Sequence, residues 1–190
     1  MRLAILGGTF DPIHNAHLAL AREAFEQFHL DRILFVPAAR PPHKSGITHA
    51  PYSDRVRMAE LACEGNPHFQ VSRLEEETAS YSIDTIAQVR AQLAPEDGLF
   101  FLIGADAFAE IETWRRWNDV LAAVTFIVAS RPGHRYRVPK GAAVERLETL
   151  ALPYSSSAIR RALAAGAQPS EVPPPVLDYI RLHKLYGVQS

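Results

Sequence analysis

The sequence has a single cysteine, almost no net charge and no long apolar run, and each absence excludes a class of protein. Cys63 cannot form an internal disulfide. A formal net charge of -1 gives no overall attraction to nucleic acid or to a membrane surface. The longest apolar stretches, 99–103 and 120–129, are far shorter than a membrane span, and no signal-peptide core precedes Asp11. We therefore expect a cytoplasmic protein that binds neither nucleic acid nor membrane.

What the sequence does contain is an ordinary globular composition, with 47% apolar and 22% charged residues. A chain of 190 residues is long enough to bury a substantial core and has the usual length of one domain. No internal repeat or low-complexity tract interrupts it. We therefore predict a single domain over residues 1–190, with a C-terminal helical part at about 155–187.

Short runs of branched and aromatic apolar residues alternate with segments of helical period, which is typical of βαβ units. The predicted strands are Leu3–Leu6, Ile33–Val36, Phe69–Val71, Leu99–Ile103 and Val124–Ala129. Because these runs are continuously apolar, they suit a parallel sheet covered on both faces. The predicted fold class is α/β, a doubly wound, Rossmann-like parallel sheet with helices on both faces. Pro173–Pro175 is predicted to begin a last helix, and Gly187 to end it.

The junction between the first strand and the first helix has the character of a phosphate-binding site. Gly7 and Gly8 let the backbone approach a ligand closely, and the amides and dipole of a helix N-terminus attract anions. His14 and His17 are three residues apart and therefore share one face of that helix. The plain alternative is a glycine turn with two surface histidines. A zinc pair is disfavoured because no third ligand stands at a recognisable spacing.

A second polar cluster lies near the C-terminus, in residues 155–161. Ser155, Ser156 and Ser157 offer an N-cap and hydroxyl donors at a helix start. Arg160 follows with a planar group that suits phosphate oxygens. Taken alone, the cluster is explained equally well as a capped surface helix.

Both clusters resemble motifs of the nucleotidyltransferases. Residues 7–12 resemble the Gly-Gly-Thr-Phe-Asp-Pro signature, and residues 14–17 resemble the His-x-Gly-His element with Ala16 in place of the glycine. Residues 155–160 resemble the Ser-Ser-Thr-x-Ile-Arg motif with Ser157 in place of the threonine. The two matches together favour a nucleotide site over the plain alternatives.

Further segments extend the resemblance to the bacterial nicotinate-nucleotide adenylyltransferase family. They are Pro41–Lys44, Ser80–Thr85, Ile103–Asp106, Trp114, Arg131–Gly133 and Val176–Tyr186, in that family's order and spacing. The resemblance implies an enzyme of NAD biosynthesis that transfers the adenylyl group of ATP, with Mg²⁺ accompanying the ATP, to nicotinate mononucleotide. The products it implies are nicotinate adenine dinucleotide and pyrophosphate.

The same resemblance implies roles for particular residues. His17, His14 and Arg160 would be catalytic, with His17 at the α-phosphate, and no residue is assigned to a metal. ATP would be bound by Gly8, Thr9, Phe10, His14, His17, Lys44, Asp106, Ser156 and Arg160. The acceptor would be bound by Thr85, Asp106, Trp114 and Arg115, with the tryptophan stacked on the pyridine ring. Asp11 and Pro12 would shape the turn without touching substrate.

Several alternatives stay open. Lys44 is also explained as an exposed loop residue, Asp106 as a helix N-cap and Trp114 as a core residue. Nicotinamide mononucleotide or phosphopantetheine as acceptor would use the same ATP site, and a nucleotide-binding regulatory module without turnover is a further alternative. The oligomeric state, including a homo-oligomer, is left open. The run Glu75–Glu77 is predicted to be a solvated turn, and Cys63 to pack in the core.

Overall fold

A six-stranded parallel sheet organises the computed structural model, which describes residues 1–40, 48–76, 81–150 and 155–188. The strands are β1 (Arg2–Gly8), β2 (Arg32–Pro37), β3 (Phe69–Val71), β4 (Gly98–Gly104), β5 (Thr125–Ser130) and β6 (Ala143–Glu148). They lie in the order β3-β2-β1-β4-β5-β6, and every neighbouring pair is parallel. This is the order of a doubly wound sheet whose two halves meet between β1 and β4.

The helices connect successive strands and close the C-terminal part of the chain. They are α1 (Asn15–Gln27), α2 (Tyr52–Cys63), α3 (Ser82–Arg90), α4 (Ala105–Ala109), α5 (Trp117–Ala123), α6 (Ser156–Ala164) and α7 (Pro174–Leu182). Two 3₁₀ turns lie at Ile111–Thr113 and Leu185–Gly187. Within the described part of the chain, no helix is both long and apolar enough to cross a membrane.

Successive residues of each strand face opposite sides of the sheet, and helices cover both sides. Ala4 and Leu6 of β1 pack into one core with residues of α1, α2, α6 and α7. Leu3 and Ile5 pack into a second core with residues of α3, α4 and α5. The central strands are continuously apolar because both of their faces are buried. The predicted α/β, doubly wound parallel sheet with helices on both faces is confirmed.

The connections that follow β1 and β4 separate at the C-terminal edge of the sheet. β1 pairs with β2 as far as Gly8 and Pro37, and with β4 as far as Leu6 and Leu102. The chain leaves β1 toward α1 on one face and leaves β4 toward α4 on the other. Diverging connections of this kind open a crevice, which is where doubly wound folds bind ligands.

The structure differs from the sequence prediction at an edge strand and at the last helix. β6 was not predicted because it is an edge strand with mostly exposed residues, and so it has no apolar run. The last helix begins in the predicted proline run but ends at Leu182, not at Gly187. Lys184 has a φ of 51°, which redirects the chain into the final 3₁₀ turn.

Candidate active site

A pocket of 390 Å³ opens at the C-terminal ends of β1 and β4, within the size range of small-molecule sites. One side, the glycine side, is lined by Gly7, Gly8, Thr9 and His17. The other, the tryptophan side, is lined by Tyr81, Thr85, Trp114 and Arg115. Strand residues such as Phe101 and Ile103 form the apolar floor between them. The structure therefore brings residues of both predicted substrate groups into one cavity.

Gly8 and Phe10 shape the start of the β1–α1 loop, residues 9–14. Phe10 has a φ of 48°, and its side chain enters the core, where it is 2% exposed. A Cβ atom on Gly8 would lie 2.9 Å from two atoms of the Phe10 ring. Position 8 therefore requires glycine as long as the Phe10 ring stays in the core. Gly8 and Thr9 line the pocket, whereas the Phe10 ring does not.

Asp11 holds the β1–α1 loop to two other parts of the chain. One carboxylate oxygen accepts from the His49 amide at 2.7 Å. The other accepts from the Ala50 amide at 3.1 Å and from the Tyr186 hydroxyl at 2.7 Å. Burial and the adjacent carboxylate raise the pKa of Tyr186, so its hydroxyl keeps its proton and donates. This geometry agrees with the prediction that Asp11 shapes the turn.

His17 is fixed as a hydrogen-bond donor on the glycine side. Its Nδ1 accepts from the His14 backbone N–H at 3.2 Å. An accepting ring nitrogen carries no proton, so the neutral His17 ring carries its proton on Nε2. The ring stacks on His14 with centroids 3.7 Å apart, and the Phe10 ring meets it edge-on at 5.0 Å. These contacts fix both the tautomer and the orientation of a side chain that lines the pocket.

His14, the N-cap residue of α1, is buried beside His17 and does not line the pocket. Its Nδ1 has no hydrogen-bond partner among the described residues. Burial lowers the pKa of His14 to about 4, so the ring is neutral at pH 7. The two motif histidines therefore differ in place, since one reaches the pocket and the other supports it.

The buried, neutral His14 should make the fold less stable in mild acid. In the unfolded chain a histidine binds its proton near pH 6.5, whereas in the fold the pKa is about 4. Stability is therefore lost as the pH falls from 6.5 toward 4, by about 2 kcal/mol between pH 7 and 5. Urea unfolding at both pH values measures this loss. In His14→Asn, which keeps a good N-cap residue, the loss should shrink by that amount, and an unchanged loss would contradict the assignment.

Ser156 and Arg160 contact the β1–α1 loop from the C-terminal part of the chain. The Ser156 hydroxyl donates to the Pro12 carbonyl oxygen at 3.1 Å. Arg160 Nη1 donates to the Asp11 carbonyl oxygen at 2.7 Å, and Nη2 donates to the Ser157 hydroxyl at 3.3 Å. The two sequence motifs therefore meet, although they are far apart in the chain.

The helix that carries this motif is also capped, as the plain alternative predicted. Ser155 is the N-cap residue of α6, and its hydroxyl accepts from the Ala158 amide at 3.2 Å. Arg160 lines a second cavity of 620 Å³ beside the loop, together with His49, Arg161 and Tyr186, and does not line the first pocket. The motif thus caps its own helix and places a cation beside the loop.

Trp114 and Arg115 form the wall of the tryptophan side. Trp114 is half-buried, and its ring meets Phe101 edge-on with centroids 5.9 Å apart. The Arg115 guanidinium lies over the Tyr81 ring, 4.7 Å from its centroid. Trp117 packs against the second core and does not line the pocket. Of the two tryptophans, Trp114 is the one that lines the pocket.

Thr85 is hydrogen-bonded to Glu75. Glu75 lines the pocket, but the sequence analysis did not predict it as a site residue. The Thr85 hydroxyl donates to Glu75 Oε1 at 2.7 Å. Glu75 is 7% exposed and lines the pocket, and its Oε2 has no hydrogen-bond partner among the described residues. The prediction of a solvated turn is therefore wrong for Glu75, although Glu76 is exposed. No local pattern separates the two, because the difference arises from packing against α3.

The remaining candidates are Asp106, Lys44 and Cys63. Asp106 is exposed in the first turn of α4, whose N-cap is Gly104, so the N-cap alternative is wrong. Asp106 does not line the pocket, and its contact with substrate stays a prediction. Lys44 lies outside the described residues. Cys63 is buried as predicted, and burial raises the pKa of its thiol to about 12, so it is no nucleophile at neutral pH.

Among residues 1–40, 48–76, 81–150 and 155–188, no group of three or more His, Cys, Asp or Glu side chains is arranged to hold a metal ion. The charged groups at the pocket are instead those of single side chains: Glu75 and Arg115.

Known proteins resemble this chain along nearly its whole length. Residues 5–162 match the cytidylyltransferase-like family model. A probable nicotinate-nucleotide adenylyltransferase of Solibacter usitatus is 67% identical over 188 residues, covering 98% of this chain and 100% of that one. A protein of the same name from Exiguobacterium sibiricum is 40% identical over 191 residues, covering 98% and 100%.

Solved structures show the same fold. Plasmodium falciparum nicotinic acid mononucleotide adenylyltransferase complexed with NaAD aligns with a TM-score of 0.80 at 19% sequence identity. The alignment covers 99% of this chain and 98% of that one. The matches in sequence show that the chain belongs to the cytidylyltransferase-like proteins and, within them, to the nicotinate-nucleotide adenylyltransferase family.

Proposed function

We propose that the protein is a cytoplasmic enzyme of NAD biosynthesis that transfers the adenylyl group of ATP to nicotinate mononucleotide. The products are nicotinate adenine dinucleotide and pyrophosphate. The observation that carries the proposal is that one pocket has a glycine loop and His17 on one side and Trp114 and Arg115 on the other. The first side suits nucleotide phosphates, and the second suits an aromatic ring that bears a negative charge. The names of the curated relatives point to the same acceptor.

The reaction requires charge stabilisation more than proton transfer. The attacking group is the phosphate monoester of the acceptor, which is already anionic at neutral pH, so no general base is needed. A phosphate oxygen forms a bond to the α-phosphorus of ATP, and the bond from that phosphorus to the bridging oxygen breaks. The electron pair leaves with pyrophosphate. The protein has to hold two anions in line and to stabilise the charge that moves onto the leaving group.

The glycine side supplies the groups for this task. His17 donates its Nε2 proton in a hydrogen bond to the α-phosphate, and the amides at the start of α1 add positive potential. Ser156 and Arg160 bind the departing phosphates. To do so, Arg160 exchanges its bond to Ser157, the longer of its two bonds at 3.3 Å, for a phosphate oxygen. Mg²⁺ enters with ATP as part of the substrate, because it binds phosphate oxygens and keeps several waters.

The tryptophan side recognises the nicotinate group. Trp114 stacks on the pyridinium ring, and Arg115 attracts the carboxylate. The Asp84 and Thr85 amides already donate to the Tyr81 carbonyl oxygen, at 3.0 and 3.2 Å, so the carboxylate is left to the amides of Ser82 and Ile83 at the start of α3. An amide substrate would set its own N–H₂ against those donors. Mismatches of this kind discriminate by up to roughly 10⁴-fold.

The test is a pyrophosphate-release assay with the purified protein, ATP and Mg²⁺. Nicotinate mononucleotide should support turnover, nicotinamide mononucleotide should be a much poorer acceptor, and phosphopantetheine should be inactive. Turnover with phosphopantetheine alone would replace the proposed acceptor. ATP binding without turnover of any of the three would favour the regulatory-module alternative.

Trp114→Ala should raise KM for nicotinate mononucleotide by about 10-fold, because the stacking face is removed. KM for ATP and the melting temperature should change little, since the ring is only half-buried. Trp114→Phe, which keeps a flat aromatic face, is the matched variant and should recover most of the affinity. If Trp114→Ala lowers the melting temperature and leaves KM for the acceptor unchanged, the residue belongs to the core alone.

A further inference from the structure

Arg55 is a buried cation that the reaction as proposed does not use. It lies on α2, and its side chain is 0% exposed. Within the described part of the chain its guanidinium donates to backbone carbonyl oxygens alone: from Nε to Ala50 at 3.2 Å, and from Nη1 to Thr9 and Ala38, both at 2.7 Å. The described residues give Nη2 no hydrogen-bond partner and give the guanidinium no ion pair with a carboxylate.

A buried, unpaired guanidinium destabilises the fold relative to an apolar side chain at the same position. A buried charge loses its hydration, and replacing it with an apolar residue of similar size is often neutral or stabilising. Burial accordingly lowers the pKa of Arg55, although Asp11 opposes the change. Packing alone therefore does not explain an arginine here, and its three carbonyl partners have to be considered.

Two of those carbonyls belong to residues that line the pocket. Thr9 follows β1 and Ala38 follows β2, and both line the pocket. The two segments are also bonded to each other, because the Ala38 amide donates to the Gly8 carbonyl oxygen at 2.8 Å. Arg55 thus joins the ends of two neighbouring strands at the place where we expect the triphosphate.

The carbonyl bonds also set the polarity of the loop. In a trans peptide the C=O and the following N–H point in opposite directions. With its C=O on Arg55, the peptide between Thr9 and Phe10 directs its N–H away from Arg55. Carbonyl oxygens carry partial negative charge and repel phosphate, whereas amide N–H groups attract it.

We propose that Arg55 is a positioning residue for the nucleotide: it draws the Thr9 and Ala38 carbonyl oxygens away from the phosphates and fixes the loop in its anion-binding conformation. The inference rests on the proposed function only in assuming that ATP binds at this loop. It does not depend on which acceptor is used. Arg55 touches no substrate and acts through the two backbone segments.

The test measures ATP binding by calorimetry, without acceptor, for the wild type, Arg55→Met and Arg55→Lys. Arg55→Met keeps much of the side-chain volume and should weaken ATP binding by about 10-fold or more, because the loop loses its fixed geometry. Arg55→Lys keeps the charge but cannot reach three carbonyl oxygens with one ammonium group. Its affinity for ATP should therefore lie between those of the wild type and Arg55→Met. KM for nicotinate mononucleotide should stay within about twofold of the wild type, since the described hydrogen bonds of Arg55 go to Ala50, Thr9 and Ala38 and not to the tryptophan side.

Arg57→Met is the control, because Arg57 lies on the same helix but is exposed and pairs with Glu60 and Glu64. It should bind ATP as the wild type does. The proposal is overturned if Arg55→Met binds ATP with wild-type affinity, or if ATP and acceptor affinities fall equally together with the melting temperature. If Arg55→Met does not fold, Arg55→Lys decides by the same criteria. If the wild-type protein binds ATP but does not turn over nicotinate mononucleotide, the acceptor assignment is refuted. The ATP-binding test of Arg55 still applies in that case.

Discussion

His17→Ala should lower kcat by about 10²-fold or more, with a much smaller change in KM for either substrate. The reason is that the His17 donor acts on charge that grows in the transition state. Its Nδ1 is occupied by the His14 amide, which leaves the proton on Nε2, on a side chain that lines the pocket. A donor fixed in advance in this way costs no reorganisation when the α-phosphate reacts.

Steady-state kinetics with both substrates varied measures this effect, and the melting temperature reports whether the fold survives. The substitution also removes the stacked ring contact with His14, so we expect a modest fall in melting temperature without loss of the fold. His183→Ala is the matched control, because His183 is exposed at the end of α7 and should leave kcat unchanged. Near-normal turnover of His17→Ala in a folded protein would remove this histidine from the mechanism.

Gly8→Ala adds only one methyl group, yet it should lower kcat/KM by about 10²-fold. The new Cβ would lie 2.9 Å from the Phe10 ring, closer than any stable contact. Phe10 is 2% exposed and cannot turn into solvent, so the ring or the loop has to shift. The Phe10 ring also packs edge-on against His17, so a shift of the ring displaces the donor.

Phe10→Leu provides the control for this prediction, because leucine lacks the two ring atoms that the new Cβ would meet. Adding Gly8→Ala to Phe10→Leu should cost far less activity than adding it to the wild type, which a double-mutant cycle measures. Equal costs in both backgrounds would show that the methyl group acts directly on the substrate and not through the Phe10 ring. Gly7→Ala offers a further comparison, with a smaller expected loss, since its Cβ meets Phe101 only at 3.7 Å.

The sequence predicted the parts of the site that depend on neighbours in the chain. The glycine turn, the histidine pair and the serine cap are local patterns, and the structure places each at the strand end or helix start expected of it. The four inner strands β2, β1, β4 and β5 were predictable for the same reason, because burial by neighbouring elements leaves apolar runs in the sequence. The short edge strand β3 was predicted as well, although only its first residue, Phe69, is buried. The polar edge strand β6 leaves no such pattern and was missed.

The roles of individual polar residues were less predictable, because burial depends on what packs against them. His14 and His17 have the same local setting, yet only His17 lines the pocket. Glu75 and Glu76 are adjacent, yet only Glu75 is buried. Periodicity assigns a face of a helix or strand, but it does not say which element covers a loop residue.

The sequence by itself determined the class of fold, the family and the glycine turn with two histidines between the first strand and the first helix, because alternation, apolar runs and short motifs are properties of neighbouring residues. Only the tertiary structure decided how that junction is held. The Tyr186 hydroxyl donates to Asp11, 175 residues away in the chain. Arg55 donates hydrogen bonds to carbonyl oxygens at the ends of two strands. Contacts of this kind follow from the order of the strands and the packing of α2, α6 and the final 3₁₀ turn around one loop, and no short stretch of sequence contains that information.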